Sequence, residues 1–146
     1  QYGEHTPYRS VTGIEHIVER AAGLGLEGVQ IEGSDVLEVH DAVASAVDKA
    51  RRGGGPTLIE ALTYRYRGHH VGDGGAYRTN EEVKWWMDNK DPIKLLGDYM
   101  CQQGVAEQEQ LDALTEQINQ EVLDAIEFGR NSPLPPPEQA YEDLYE

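Results

Sequence analysis

Residues 63–78 read TYRYRGHHVGDGGAYR and gather Arg65, Arg67, His69, His70 and Arg78 around a single acid, Asp73. Guanidinium and imidazole groups are donors matched to anionic oxygen, and phosphate is the first ligand this set suggests. Histidine can also hold or move a proton near neutral pH. Glycines at 68, 72, 74 and 75 predict an irregular stretch whose backbone can approach a ligand closely. The competing reading is purely local, with Arg65 and His69 paired to carboxylates such as Asp73.

The flanking patterns say what must hold this stretch. Thr12 and Glu15 form a capping box and predict a helix with Ile14, Ile17, Val18, Ala21 and Ala22 on one face, ended by Gly23 and Gly25. A strand is expected over 28–32. Asp35 and Glu38 then cap a helix with Val36, Val39, Val43, Ala46, Val47 and Ala50 as its buried stripe, stopped by glycines 53–55. Residues 57–64, TLIEALTY, form the best strand in the chain. Helix, strand, helix, strand with short links is the pattern of a parallel α/β sheet, whose ligands sit beyond the carboxyl ends of its strands.

Downstream, Thr79 with Glu82 caps a short helix through Trp85 and Trp86, and Asp91-Pro92 opens another with Ile93, Leu96, Tyr99 and Met100 on one side. The longest helix is expected over 107–128, with Gly129 as its stop. Residues 132–137, SPLPPP, should be extended. The acidic tail carries Tyr141, Leu144 and Tyr145 as candidate partner contacts. Residues 1–10 show neither period and read as a loop.

Composition narrows the partners. A net charge of −15, from 27 acids against 12 bases, argues against nucleic acid or an anionic membrane surface. The single cysteine, Cys101, excludes an internal disulfide and is expected to be a buried small apolar residue. No apolar run approaches the roughly 20 residues of a membrane span. A cytoplasmic protein is expected, and a start at Gln1 rather than Met suggests a piece of a longer one. His5, His16 and His40 have no metal-ligand spacing and are expected to do no chemistry.

Taken in order, Tyr64-Arg65-Tyr66-Arg67-Gly68-His69, Asp73 with Tyr77-Arg78, and Glu81/Glu82 followed by Asp91-Pro92-Ile93 resemble the alpha subunit of the thiamin-diphosphate-dependent dehydrogenases acting on 2-oxo acids or acetoin. Gly33-Ser34-Asp35-Val36 and Gly55-Pro56-Thr57-Leu58-Ile59-Glu60 extend the resemblance upstream.

The resemblance implies a doubly wound, parallel α/β thiamin-diphosphate-binding fold, here its C-terminal portion (residues 1–78, including the cofactor loop 63–78), a helical extension (79–131) and a proline-rich acidic tail (132–146). It implies thiamin diphosphate and magnesium as cofactors, with His69 beside the diphosphate and reacting centre and Arg65 fixing the loop or the phosphate. The backbone carbonyl of Tyr2 would complete the magnesium shell. Gln1-Tyr2-Gly3 resembles the segment directly after the family's metal motif, whose aspartate and asparagine this sequence lacks. Gly72-Asp73-Gly74 imitates the opening of that motif but sits in the wrong order and reads as a turn. His70 and Gly72 stand where animal relatives carry phosphorylated serines, which implies no kinase control there.

The implied partners are a beta subunit in an alpha2beta2 heterotetramer, a lipoyl-bearing acyltransferase, and a small 2-oxo acid or acetoin. The chain alone is expected to be inactive. A transketolase-like enzyme and a non-catalytic interaction domain are the alternatives.

Overall fold

The computed structural model describes residues 1–142. Its centre is a strand–helix–strand unit. Strands β3 (Glu27–Glu32) and β4 (Thr57–Leu62) run parallel in register from Glu27 opposite Thr57 to Glu32 opposite Leu62. The helix α3 (Val36–Arg51) makes the crossover between them. Mixed helix and parallel strand is thus observed as expected. The Asp35 carboxylate caps α3 by accepting the Leu37 and Glu38 amides. At the other end, the Lys49 ammonium donates to the Pro56 carbonyl at 3.0 Å and meets the Glu27 carboxylate at 2.9 Å. One cation thereby fastens the helix end to the starts of both strands.

Of the six residues in the expected α3 stripe, only Val39 and Ala46 are partly buried. Ala42 and Lys49 are partly buried as well, whereas Val36, Val43 and Val47 are 44%, 45% and 37% exposed. The apolar arc is wider than one sheet face can cover, and its outer part stays open. The buried core comprises Ala21, Ile31 and Tyr64, with Ser34 buried beside them.

Two expectations near the N-terminus are corrected. Residues 1–10 fold into a hairpin of two short antiparallel strands, β1 (Tyr2–Gly3) and β2 (Thr6–Pro7), followed by the single turn α1 (Tyr8–Val11). Strands this short show no period, so sequence patterning could not reveal them. No helix starts at Thr12, whose backbone is extended. A 3-10 turn (Ile17–Glu19) leads instead into α2 (Arg20–Gly23), and the Glu60 carboxylate from β4 takes the free amides of Ile17 and Val18 at 3.0 and 2.9 Å. A tertiary acceptor replaces the local capping box.

Beyond residue 78 the chain is helical: α4 (Asn80–Asn89), α5 (Pro92–Gln102) and α6 (Gln108–Asn131). Thr79 and Asp91 cap the first two as expected. Gly129 does not end α6, which continues to Asn131 because Asn131 and Ser132 side chains satisfy the terminal carbonyls of Glu127 and Phe128. Nor is SPLPPP extended throughout, since Pro137 opens a 3-10 turn (Pro137–Tyr141). Cys101 is half-buried rather than buried. Tyr141 is exposed, and Leu144 and Tyr145 lie outside the described residues. Among the described residues, no helix is long and apolar enough to cross a membrane.

Candidate functional site

The stretch 63–78 leaves the carboxyl end of β4 and stays irregular until α4 begins. Tyr64, the last residue that reads as strand, is buried and stacks on Trp86 with ring centres 5.1 Å apart. Trp85 is half-exposed beside it. Arg78 lies over the Tyr64 ring at 5.3 Å and turns its donors onto three successive carbonyls, those of Arg65, Tyr66 and Arg67. This arginine is a scaffold for the loop backbone, and its charge is consumed internally.

Asp73 organises the other half. Its carboxylate accepts the amides of His69 at 2.7 Å and Gly75 at 2.8 Å, and the Tyr77 hydroxyl at 2.9 Å. These bonds, the His69 amide foremost, hold its carboxyl well below the usual carboxylate range. Gly68 makes the turn possible, because a Cβ there would stand 2.7 Å from the Asp73 carbonyl oxygen. With its oxygens filled this way, Asp73 orders a turn.

Arg65 does not pair with Asp73 directly. Its Nη2 donates to the Glu4 carbonyl at 2.7 Å and to the Tyr77 hydroxyl at 3.0 Å, and its Nε to the Arg67 carbonyl at 3.3 Å. Of the two roles the sequence allowed it, fixing the loop matches these bonds. His69 is different. Asp73 engages its backbone amide, while the imidazole is 45% exposed with Nε2 3.8 Å from a Glu4 carboxylate oxygen. The ring is therefore presented rather than tied down. His70 accepts the Gly72 amide through Nδ1. Arg67 is exposed, and among the described residues only its carbonyl is engaged. A cleft of about 310 Å³ runs along Tyr66, Arg67, Gly68, Gly75, Arg78 and Asn80.

The hairpin packs against the loop through Arg65, Asp73 and Tyr77. Glu4 at its tip has φ 51°, a left-handed conformation unusual for a residue with a Cβ. His5 stacks on Tyr77 at 4.9 Å and stands 3.5 Å from Asp73. Tyr2 is held by its side chain: the hydroxyl lies 3.0 Å from each Glu82 oxygen, and Tyr64 donates to the same carboxylate at 3.0 Å. Burial, reinforced by Glu82, pushes the Tyr2 phenol up to about 12. The Gln1 amide reaches the Thr63 carbonyl, so the hairpin stands at the root of the loop. Among the described residues no three His, Cys, Asp or Glu side chains gather as a metal site.

Glu4, His5 and Glu82 are the participants that sequence reasoning missed. Their partners across the hairpin and loop lie 61 to 80 residues away, and Tyr64 lies 18 from Glu82, beyond any local pattern. His16 and His40 lie apart from the site: His16 contacts Gln30, and His40 sits beside Asp41 on the surface.

The family model described as "Dehydrogenase E1 component" matches residues 1–138. The chain belongs to that family. The resemblance read from the loop motifs is thereby borne out, and the similar proteins are alpha subunits of dehydrogenase E1 components and of acetoin oxidoreductases. The alpha subunit of acetoin:2,6-dichlorophenolindophenol oxidoreductase from Bacillus subtilis is 34% identical over 99% of this chain and 43% of its own length. The pyruvate dehydrogenase E1 component alpha subunit of Zymomonas mobilis is 42% identical over 86% of this chain and 35% of its own. The chloroplastic alpha-3 subunit of pyruvate dehydrogenase E1 from Oryza sativa is 37% identical over 88% and 30%. This E1 chain thus spans under half the length of the curated relatives it matches.

Proposed function

We propose that this chain is the C-terminal part of the alpha subunit of a thiamin-diphosphate-dependent dehydrogenase. The enzyme oxidatively decarboxylates a 2-oxo acid of the pyruvate type, or cleaves acetoin, and passes the acyl group to lipoamide on an acyltransferase. The chain contributes one part of a doubly wound thiamin-diphosphate fold and works with a beta subunit in an alpha2beta2 assembly. The observation that carries this reading is the His69 imidazole, left open to solvent on a loop whose every neighbouring bond serves to hold it still.

The donor set fits a diphosphate. His69 offers an uncommitted ring nitrogen and Arg67 an exposed guanidinium, at the carboxyl end of a parallel strand where anions are held in such sheets. Thiamin diphosphate, when bound, supplies a nucleophilic carbon and an electron sink for cleaving the bond next to the substrate carbonyl. The residues of this chain do the rest. His69 donates to a diphosphate oxygen and holds or delivers a proton during acyl transfer. Arg65 keeps the loop joined to the hairpin, and Tyr2 offers its carbonyl to magnesium. The aspartate and asparagine of the metal shell come from outside this chain.

The test uses the full-length alpha protein assembled with its beta partner. Dichlorophenolindophenol reduction with acetoin, pyruvate and 3-methyl-2-oxobutanoate identifies the substrate; the loop motif favours the first two. His69→Ala should abolish lipoamide-dependent turnover. Unchanged turnover in that variant would favour a relic loop on an interaction domain. Calorimetric titration of this chain alone with thiamin diphosphate and magnesium should show no micromolar binding.

A further inference from the structure

Glu82 stands in the first turn of α4, its amide capped by Thr79, yet its carboxylate turns inward onto two phenols rather than onto a side-chain cation. Both oxygens are within 3.0 Å of the Tyr2 hydroxyl, and Oε1 also accepts from Tyr64. Three elements converge on this one group: the hairpin through Tyr2, the end of β4 through Tyr64, and α4 itself. The rings lock the arrangement, with Tyr2 edge-on to Tyr64 at 6.2 Å, Tyr2 against Tyr77 at 5.2 Å, and Tyr64 stacked on Trp86. The positive end of the α4 dipole stabilises the carboxylate in place.

We propose that Glu82 is a positioning residue for the cofactor site: by bridging the Tyr2 and Tyr64 hydroxyls it fixes the distance between the hairpin and the histidine loop. The proposal rests on the thiamin-diphosphate reading above and adds to it a residue that touches neither cofactor nor substrate. The geometry has a specific consequence. The Tyr2 side chain and carbonyl belong to one residue, so a carboxylate that pins the ring also sets where the carbonyl points. The second tether, Arg65 to the Glu4 carbonyl, holds the hairpin at its tip. With Glu82 gone the hairpin keeps that tip contact and the exposed Gln1 to Thr63 bond, but loses the part-buried anchor that orients Tyr2. An error of about 1 Å in a positioned ligand is enough to cost two orders of magnitude in an assembled site.

The experiment uses the full-length alpha protein assembled with its beta partner. Thiamin diphosphate and magnesium affinities are read by quenching of tryptophan fluorescence and by calorimetry, with the thermal midpoint measured on the same samples. Glu82→Ala should weaken magnesium-dependent cofactor binding at least tenfold while the midpoint shifts little. Glu82→Gln, which keeps one acceptor, should fall between. Tyr2→Phe retains the ring and the carbonyl but loses the hydroxyl, and should reproduce the loss. The Tyr2→Phe, Glu82→Ala double variant should be no worse than either single one, as expected for two ends of one contact. If Glu82→Ala does not fold, Glu82→Gln and Tyr2→Phe carry the same comparison. Unchanged cofactor affinity in the variants, or affinity that falls only in step with the thermal midpoint, overturns the proposal. Failure of the unaltered assembly to bind thiamin diphosphate overturns the functional reading instead.

Discussion

The Arg65 guanidinium donates to the carbonyl of Glu4 at 2.7 Å, joining the histidine loop to the tip of a hairpin that precedes it by 61 residues. The same guanidinium reaches the Tyr77 hydroxyl, which in turn donates to Asp73. Loop order and hairpin order are therefore one property.

Replacing Arg65 with lysine tests that union. A lysine keeps the charge but cannot span the Glu4 carbonyl, the Tyr77 hydroxyl and the Arg67 carbonyl with one rigid fork. Arg65→Lys should cost about 1–2 kcal/mol of stability and speed amide hydrogen exchange in both the loop and the hairpin. Exchange that rises in the loop alone would show the two segments to be independent.

Asp73 gives the loop a defined response to acid. Its carboxyl is held below its ordinary value of about 3.9, chiefly by the His69 amide, then by the Gly75 amide and Tyr77. A depressed carboxyl contributes order that is complete above the unfolded value and is lost as pH falls through the lower folded value. Loop protection in the intact protein should thus persist at about pH 4, where ordinary carboxyls are half protonated, and decline only in stronger acid. Asp73→Asn should lower protection at neutral pH and remove that acid-dependent decline. Hydrogen exchange followed by mass spectrometry across this range measures both.

Two glycines should respond to alanine with opposite signs. A Cβ on Gly33 would lie 2.8 Å from the Leu62 carbonyl oxygen, where strand β3 ends beside β4. Gly33→Ala should destabilise by about 1–3 kcal/mol in chemical unfolding. Gly129 lies inside α6 with nothing within 4 Å of the added carbon. Gly129→Ala should stabilise by about 0.5–1 kcal/mol. A loss at Gly129 would mean that the helix ends there after all.

The sequence is most legible where one residue acts on its neighbours. Asp35, Thr79 and Asp91 cap the helices their positions predict, and the parallel pairing agrees with the order of periods. Residue types alone mark the loop, and Asp73 makes the turn expected of it. Legibility ends where a distant group decides. Glu60 reaches across to cap Ile17 and Val18, so the box at Thr12 goes unused. Glu4 and Glu82 enter the site through partners remote in sequence: nothing near Glu4 marks it, and the local pattern around Glu82 marks only a helix cap. Gly129 misleads for a different reason: glycine ends a helix only when it turns left-handed, and side chains from Asn131 and Ser132 supply the cap instead.

Helix α6 leaves Leu114, Ile118, Val122 and Leu123 about half uncovered, and α3 does the same with Val36 and Val43. Such rows are a hazard, since exposed apolar surface on identical chains can associate. The net charge of −15 sets the odds of such meetings. Like charge slows the encounter of two copies. The surplus acid that argues against nucleic acid thus also acts as a brake on self-association, guarding the apolar rows that the fold leaves open.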